Sequence, residues 1–186
     1  MPPKQRITRE MILERSFIMF SLEGMESVNA RSVAKALNCS TQPIFSYFSG
    51  MEDLKNALEQ KAKETFDAML ADLAEDGDPI VRVCEAYVRF AAREPRLFTH
   101  LFLRPVEVAT HPLSGEEIKS ELVKKECAFS GMSEELSVRV YTEMSIYAHG
   151  FAALFASGHA DAEMDIVRKM LDDAYRAIVM HIKADA

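Results

Sequence analysis

One stretch of the 186-residue chain carries side chains suited to reading nucleic-acid bases. Thr41, Gln42, Ser46 and Tyr47 are short or planar hydrogen-bonding groups, and no acidic residue lies among them. Ile44 and Phe48 stand one helical turn apart between and after them. A helix over 41–48 therefore buries that pair and turns the polar set outward. Such a face matches the chemistry of a helix laid in a DNA major groove. Gln42 is the best base reader, because its amide can pair with adenine, while Thr41 and Pro43 offer apolar contact to a thymine methyl. Arg31, Ser40 and Lys55, with a basic arm of Lys4 and Arg6, complete the candidate DNA contacts. The plain structural alternative is that Ser40 only caps the helix and Tyr47 only packs against the helix that follows.

Other chemistries find little support. His159, Asp161 and Glu163 stand close together, but at a helix boundary where Asp161 reads better as a cap. There is no Gly-rich phosphate loop, no nucleophile elbow and no H-E-x-x-H pattern, so no catalytic residue or metal ligand is assigned and no cofactor is expected. Cys39, Cys84 and Cys127 are odd in number, widely spaced and without a CxxC pair, which argues against disulfides and zinc. Cys39 reads as a small buried residue beside the DNA-reading helix rather than as a thiol switch.

The elements that position the polar face read as helices throughout. Thr8 caps a first helix running to about Leu22, with Leu13, Phe17 and Phe20 as its buried stripe, and Gly24 ends it. The segment 30–37 places Val33, Ala34 and Leu37 on one face. Asn38 suits its end, and Ser40 suits the next start. Ser49 and Glu52 form an S-x-x-E capping box opening a long fourth helix that carries Leu54, Leu58, Phe66, Met69, Leu70 and Leu73. A loop follows over 74–79, where Asp78 and Pro79 match an N-cap and a first helical position. Helices over 80–93 and 96–103 come next, separated by Pro95. The stretch 106–113 is irregular, and a second capping box, Ser114 with Glu117, opens a helix to about Phe129.

Two long helices close the chain. The first, over 133–157, carries Leu136, Val140, Met144, Tyr147, Phe151 and Leu154. The second, from Asp161, carries Val167, Leu171, Ala174, Ile178 and Ile182. A second copy of this pair would complete a four-helix bundle, and Ala148, Gly150, Ala152, Ala153 and Ala156 would allow a neighbouring helix to approach closely. Packing within the subunit is the alternative for those small residues. A homodimer through the last two helices is the expectation, because a helix-turn-helix protein gains useful affinity from two half-sites.

Composition agrees. Hydrophobic residues make up 48% of the chain, with 7 Gly, 7 Pro, 11 Met and no Trp, which favours helices over a turn-rich β fold. No segment approaches a membrane span, and the N-terminus lacks the apolar stretch of a signal peptide, so a cytoplasmic, reduced protein is expected. The net charge of -7 is uneven. Residues 1–55 hold seven basic and six acidic side chains, and the rest holds 15 against 23. The acidity thus belongs to the second part, where a DNA-binding surface is not sought.

The combination resembles the tetracycline-repressor (TetR) family of bacterial transcriptional regulators. The resemblance covers about residues 6–60 and rests on the first helix with Gly24, the RSVAKALNCS segment and the aromatic pair within PIFSYFSGMEDL. Further on, REPRLFTHLFL and IYAHGFAALF are similar to one ligand-binding domain type of that family, in which an aromatic residue precedes a His-Gly pair, as Tyr147 precedes His149 and Gly150. The resemblance implies an all-α dimer of about nine helices. A three-helix helix-turn-helix domain at 1–50 would bind a palindromic double-stranded DNA operator, with the connecting helix reaching about 60. A larger helical domain at 51–186 would bind a small-molecule inducer and dimerise. Phe90, Phe98, Leu101, Phe102, Met144, Tyr147, His149 and Phe151 are candidate lining for the inducer pocket, with plain core as the alternative for each. The implied activity is ligand-responsive repression; the alternative is a helical interaction or ligand-binding module without sequence-specific DNA binding. Phe45 stands where many members have Tyr, and Met51 where many have Lys. Two usual phosphate contacts are therefore missing, leaving Tyr47, Lys55 and the backbone N–H groups of the fourth helix start.

Overall fold

The computed structural model describes residues 7–71, 77–104 and 116–184, with side chains left out at 116–120 and 122. Lys4, Arg6, Leu73, the irregular stretch 106–113 and the Ser114–Glu117 capping box lie outside what is described. Among the described residues the regular structure is helical: α1 (Arg9–Glu23), a 3-10 turn (Met25–Ser27), α2 (Ala30–Ala36), α3 (Gln42–Tyr47), α4 (Met51–Ala71), α5 (Pro79–Arg93), α6 (Pro95–Phe102), α7 (Glu116–Ser130), α8 (Glu134–Ala156) and α9 (Met164–Ala184). None of these helices is long and apolar enough to cross a membrane.

Two compact units, 1–65 and 66–186, meet within α4 rather than at its start. The reason is packing. Leu54, Leu58 and Ala62 are fully buried, and the Lys61 ammonium lies 5.1 Å from the Phe17 ring centre, so the first part of α4 belongs with α1.

In the first unit, Thr8 caps α1 by accepting the Met11 N–H at 3.3 Å, and Gly24 ends it at a φ of 93° that a side chain would strain. The buried stripe of α1 is Ile12, Ser16 and Phe20, and the expected Leu13 and Phe17 are half-buried flanks. The stripe is thus rotated by one residue, with the small Ser16 fully buried in its middle. Asn29 and Ser32 close a reciprocal capping box at the start of α2. Asn38 then adopts the left-handed region at φ 52°. Its N–H bonds the Lys35 carbonyl and the Cys39 N–H the Ala34 carbonyl, the two bonds of a Schellman turn. This turn reverses the chain into α3, where Ile44 and Phe48 are buried together with Val33 and Leu54. Leu37 is only half-buried.

Helix starts differ from expectation at two places here. Ser40 does not cap α3; the cap position is Thr41, whose side chain makes no capping bond, and Pro43 preorganises the first turn instead. The Ser49 cap is answered by Asp53 rather than Glu52. The Asp53 Oδ2 accepts the Ser49 N–H at 2.9 Å and its hydroxyl at 3.2 Å. Starting the helix at Met51 moves the position that faces back by one residue.

In the second unit α5 is central. It is buried on most of its circumference and packs most extensively on α8, with α6, α7 and α9 around it. The buried stripe of α8 runs through Ser137, Val140, Tyr141, Met144, Ala148 and Ala152. Leu136 and Phe151 are half-buried, and Tyr147 and Leu154 are exposed. Ala148 and Ala152 therefore serve packing within the subunit. The last helix starts at Met164 rather than Asp161. Glu163 takes the cap position, its carbonyl accepting the Ile166 and Val167 N–H groups, while Asp161 is exposed.

Candidate nucleic-acid interface

The six residues of α3 sort by face. Ile44 is fully buried, and Gln42, Phe45, Ser46 and Tyr47 are exposed. Ser40, Gln42, Pro43, Ser46 and Tyr47 line one groove of about 840 Å³ with Ile7, Met11, Leu37, Asn38 and Cys39. Five of the candidate DNA residues are thus brought to a single concave surface between the start of α1 and the α2–α3 turn. Thr41 is half-buried beside it, and Arg31 is exposed on α2.

The hydrogen bonds separate free donors from used ones. The Ser46 hydroxyl donates to the Gln42 carbonyl at 3.0 Å, one turn back. The Tyr47 hydroxyl donates to the Ile7 carbonyl at 3.2 Å, tying α3 to the residue ahead of the Thr8 cap of α1. Tyr47 therefore does not merely pack against α4. The Lys55 ammonium lies 3.2 Å from Glu52 Oε1 and is paired within the first turns of α4. Glu52 and Asp53 make that helix start acidic, which opposes the attraction of a helix N-terminus for phosphate. Arg9 is also engaged, its guanidinium carbon 4.9 Å from the Phe48 ring centre. Ile7 and Met11 in the groove wall, and Asn38 at its turn, were not among the sequence candidates for this surface. The αL turn at Asn38 is the signal that could have placed the last of them.

The candidate pocket residues of the second unit divide. Phe98 and Phe102 lie 5.0 Å apart by ring centres, and both pack edge-on to Tyr87 at 5.0 and 4.9 Å. Phe66 stands 5.4 Å from Phe90 and 5.7 Å from Phe102, and His149 meets the group through a 2.9 Å bond between its Nδ1 and the Tyr87 hydroxyl. Burial pushes the Tyr87 phenol far above its ordinary range, so it stays protonated. Tyr147 is apart from this cluster. It stacks on Phe151 at 6.3 Å and is 38% exposed. Two helical residues turn about 200°, so Tyr147 and His149 face opposite sides of α8. Leu101 and Met144 are buried. Tyr87 and Phe66 organise the cluster, and sequence reasoning missed both; their spacing to Phe90 and to Leu70 is the periodicity of ordinary core. The Cys84 thiol nearby is pushed up to about 12 by burial and then by Asp78, which makes it unreactive.

No family model matches the chain. It is similar to the uncharacterized HTH-type transcriptional regulator YobS of Bacillus subtilis strain 168, at 24% identity over 174 residues, covering 91% of this chain and 90% of that one. Among solved structures, a TetR-like transcriptional regulator from Rhodococcus sp. RHA1 superimposes with a TM-score of 0.65 at 15% identity, over 91% of this chain and 96% of that one. The Thermus thermophilus FadR, a TetR-family repressor in complex with lauroyl-CoA, superimposes with a TM-score of 0.58 at 20% identity, over 92% of this chain and 93% of that one. With these helices in this order and that likeness over nine-tenths of its length, the chain has the all-helical fold of the TetR-like transcriptional regulators.

Proposed function

We propose that the chain is a DNA-binding transcriptional regulator that holds a palindromic operator as a homodimer and is released from it by a small-molecule inducer. The observation that carries this reading is the exposed face of α3. It presents Gln42 and Tyr47 in a groove without an acidic residue, on a helix fixed from behind by Ile44 and Phe48. Gln42 reads a base edge. Arg31, and Lys4 and Arg6 of the arm, take phosphates, as does Lys55 once it exchanges Glu52 for DNA. Such a protein works beside the chromosome, in the cytoplasm.

The dimer face is the outer side of α8 and α9. Ile146 is 70% and Met180 73% exposed, and Ile166, Met170, Ala177 and Met180 follow a 4-7-3 spacing that makes one apolar stripe. Tyr147, exposed Gly150 and Leu154 continue it on α8. The inducer site is the aromatic group of Phe90, Phe98 and Phe102, with Tyr87 and His149 as polar anchors, which suits a largely apolar ligand. Lauroyl-CoA in the Thermus thermophilus protein is an example of a ligand with a long apolar part.

Fluorescence anisotropy with the purified chain and the DNA flanking its own gene tests the reading. Binding should prefer that DNA over bulk DNA and weaken steeply with salt. No sequence preference would sink it in favour of an interaction module.

A further inference from the structure

A polar cluster at the start of α5 takes no part in the DNA or inducer contacts described above. Asp78 caps α5, and its Oδ1 accepts the N–H groups of Ile80 at 2.9 Å and Val81 at 3.2 Å. Glu126 comes to it from α7 and Tyr175 from α9. The Tyr175 hydroxyl donates to Glu126 Oε1 at 2.6 Å, and the Asp78 carboxyl is close enough to act on both groups electrostatically. Glu126 is fully buried and Asp78 is 8% exposed. Each carboxyl retains one buried oxygen, Asp78 Oδ2 and Glu126 Oε2, that no donor among the described residues reaches. Two ionised carboxylates meeting in this way would leave two like charges out of water, which burial and mutual repulsion both oppose. One proton between the two oxygens removes a charge and satisfies both acceptors.

We propose that Asp78 and Glu126 share a single proton, carried on Glu126 Oε2 and donated to Asp78 Oδ2, and that this proton latches α7 and α9 to the start of α5. The asymmetry follows from the surroundings. The Asp78 carboxyl already accepts two amides at a helix N-terminus, which makes it the natural acceptor of the pair. Glu126 is held above the ordinary glutamate range, first by burial, with the Tyr175 bond opposing and the Asp78 charge adding to it. Burial likewise holds the Tyr175 phenol protonated, so it remains a donor.

The charged groups on the surrounding helices do not replace the proton. On α5, Arg82 stands one turn from Asp78, and Glu85 is paired with Arg89 and with Arg168 of α9. On α9, Asp172 is half-buried one turn before Tyr175, and Asp173 and Arg176 on either side of it are exposed. On α7, Lys125 pairs with Glu121 at the surface. On α8, which packs against α7, Glu134 and Glu135 are exposed and Arg139 lies 3.8 Å from Glu143. None of these cations is among the groups that set the ionisation of Glu126, which are Tyr175, Asp78 and Ser130.

The sign of the pH dependence is fixed by the raised carboxyl. Unfolded, Glu126 titrates near 4.5. Folded, it keeps its proton above that value. The stabilisation is therefore complete below 4.5 and is lost as pH rises through the folded value. The latch holds in acid and loosens toward alkaline pH.

Thermal unfolding of the full chain between about pH 5 and about pH 9 tests this in wild type, Glu126→Gln and Asp78→Asn. In Glu126→Gln the amide nitrogen donates to Asp78 Oδ2 and the amide oxygen still accepts from Tyr175, but the donor cannot ionise. Wild type should lose at least about 2 °C relative to Glu126→Gln on going from the acid to the alkaline end. Asp78→Asn keeps its Oδ1 cap and places a donor on Glu126, so its profile should flatten in the same sense. Parallel profiles for all three, or a Glu126→Gln chain destabilised equally at every pH, would overturn the proposal. Infrared spectra give an independent readout. At about pH 5 the neutral carboxylic acid C=O band should be stronger in the wild type than in Glu126→Gln, and identical bands in the two would also overturn it.

Discussion

At the scale of single residues, Gln42 is the side chain on which operator choice should depend. Gln42 is exposed on the outward face of α3, and a bidentate pair of its amide with adenine discriminates against other bases by about 1–3 kcal/mol. Gln42→Ala should therefore weaken operator binding by roughly 10-fold or more while leaving binding to bulk DNA unchanged. Equal loss on both DNAs, read by anisotropy, would move Gln42 to a backbone contact. Tyr47 makes a different prediction, because its hydroxyl already donates to the Ile7 carbonyl. Tyr47→Phe should loosen Ile7, ahead of the cap of α1, and reduce affinity on all sequences alike, without altering the preference among them. A changed base preference in Tyr47→Phe would count against that role.

At the scale of elements, the turn between α2 and α3 sets the direction of the reading helix, and it rests on Asn38 at φ 52°. Asn38→Gly should leave the melting temperature and operator affinity almost unchanged, since glycine adopts this region freely. Asn38→Val should cost about 1–2 kcal/mol and weaken operator binding, because a β-branched residue resists the left-handed conformation. Urea denaturation monitored by circular dichroism would check both, and a tolerated valine would show that the turn carries no strain. Element type was legible in the sequence because the apolar spacing near Ile44, Phe48, Leu54 and Leu58 has a single helical solution. Helix starts were less so. Ser49 could be answered by Glu52 or Asp53, and only the backbone position of the first turn chooses. The buried side of α1 slipped for a similar reason. Ser16 reads as polar and was passed over, yet it is fully buried in the middle of the stripe.

At the scale of the whole molecule, sequence patterns show which helices have wide apolar faces but not which of those faces stay open. Both α5 and α8 are rich in apolar residues, and the pattern that made α8 look like a dimer element through Ala148 and Ala152 is used up within the subunit, where α8 packs most extensively on α5. Tyr87 was missed because a Tyr one turn from Phe90 is indistinguishable in sequence from core, whereas its bond to His149 needs a fold to bring together residues 62 apart. What remains open are apolar side chains on α8, Ile146 and Leu154, and on α9, Ile166, Met170 and Met180, and their exposure on a single chain is the argument for a second copy. Ile146→Glu combined with Met180→Glu places two carboxylates on each face of a pair, where they must be desolvated and repel. Both side chains are exposed within the subunit, so the folded chain itself should lose less than about 0.5 kcal/mol. The expected outcome is a folded monomer by analytical ultracentrifugation. That monomer should hold a single half-site weakly and lose the tight binding that two half-sites about 34–36 Å apart provide. A variant that stays dimeric would place the interface elsewhere. A monomer that still bound the full operator at wild-type affinity would separate dimerisation from DNA recognition and remove the two-half-site argument.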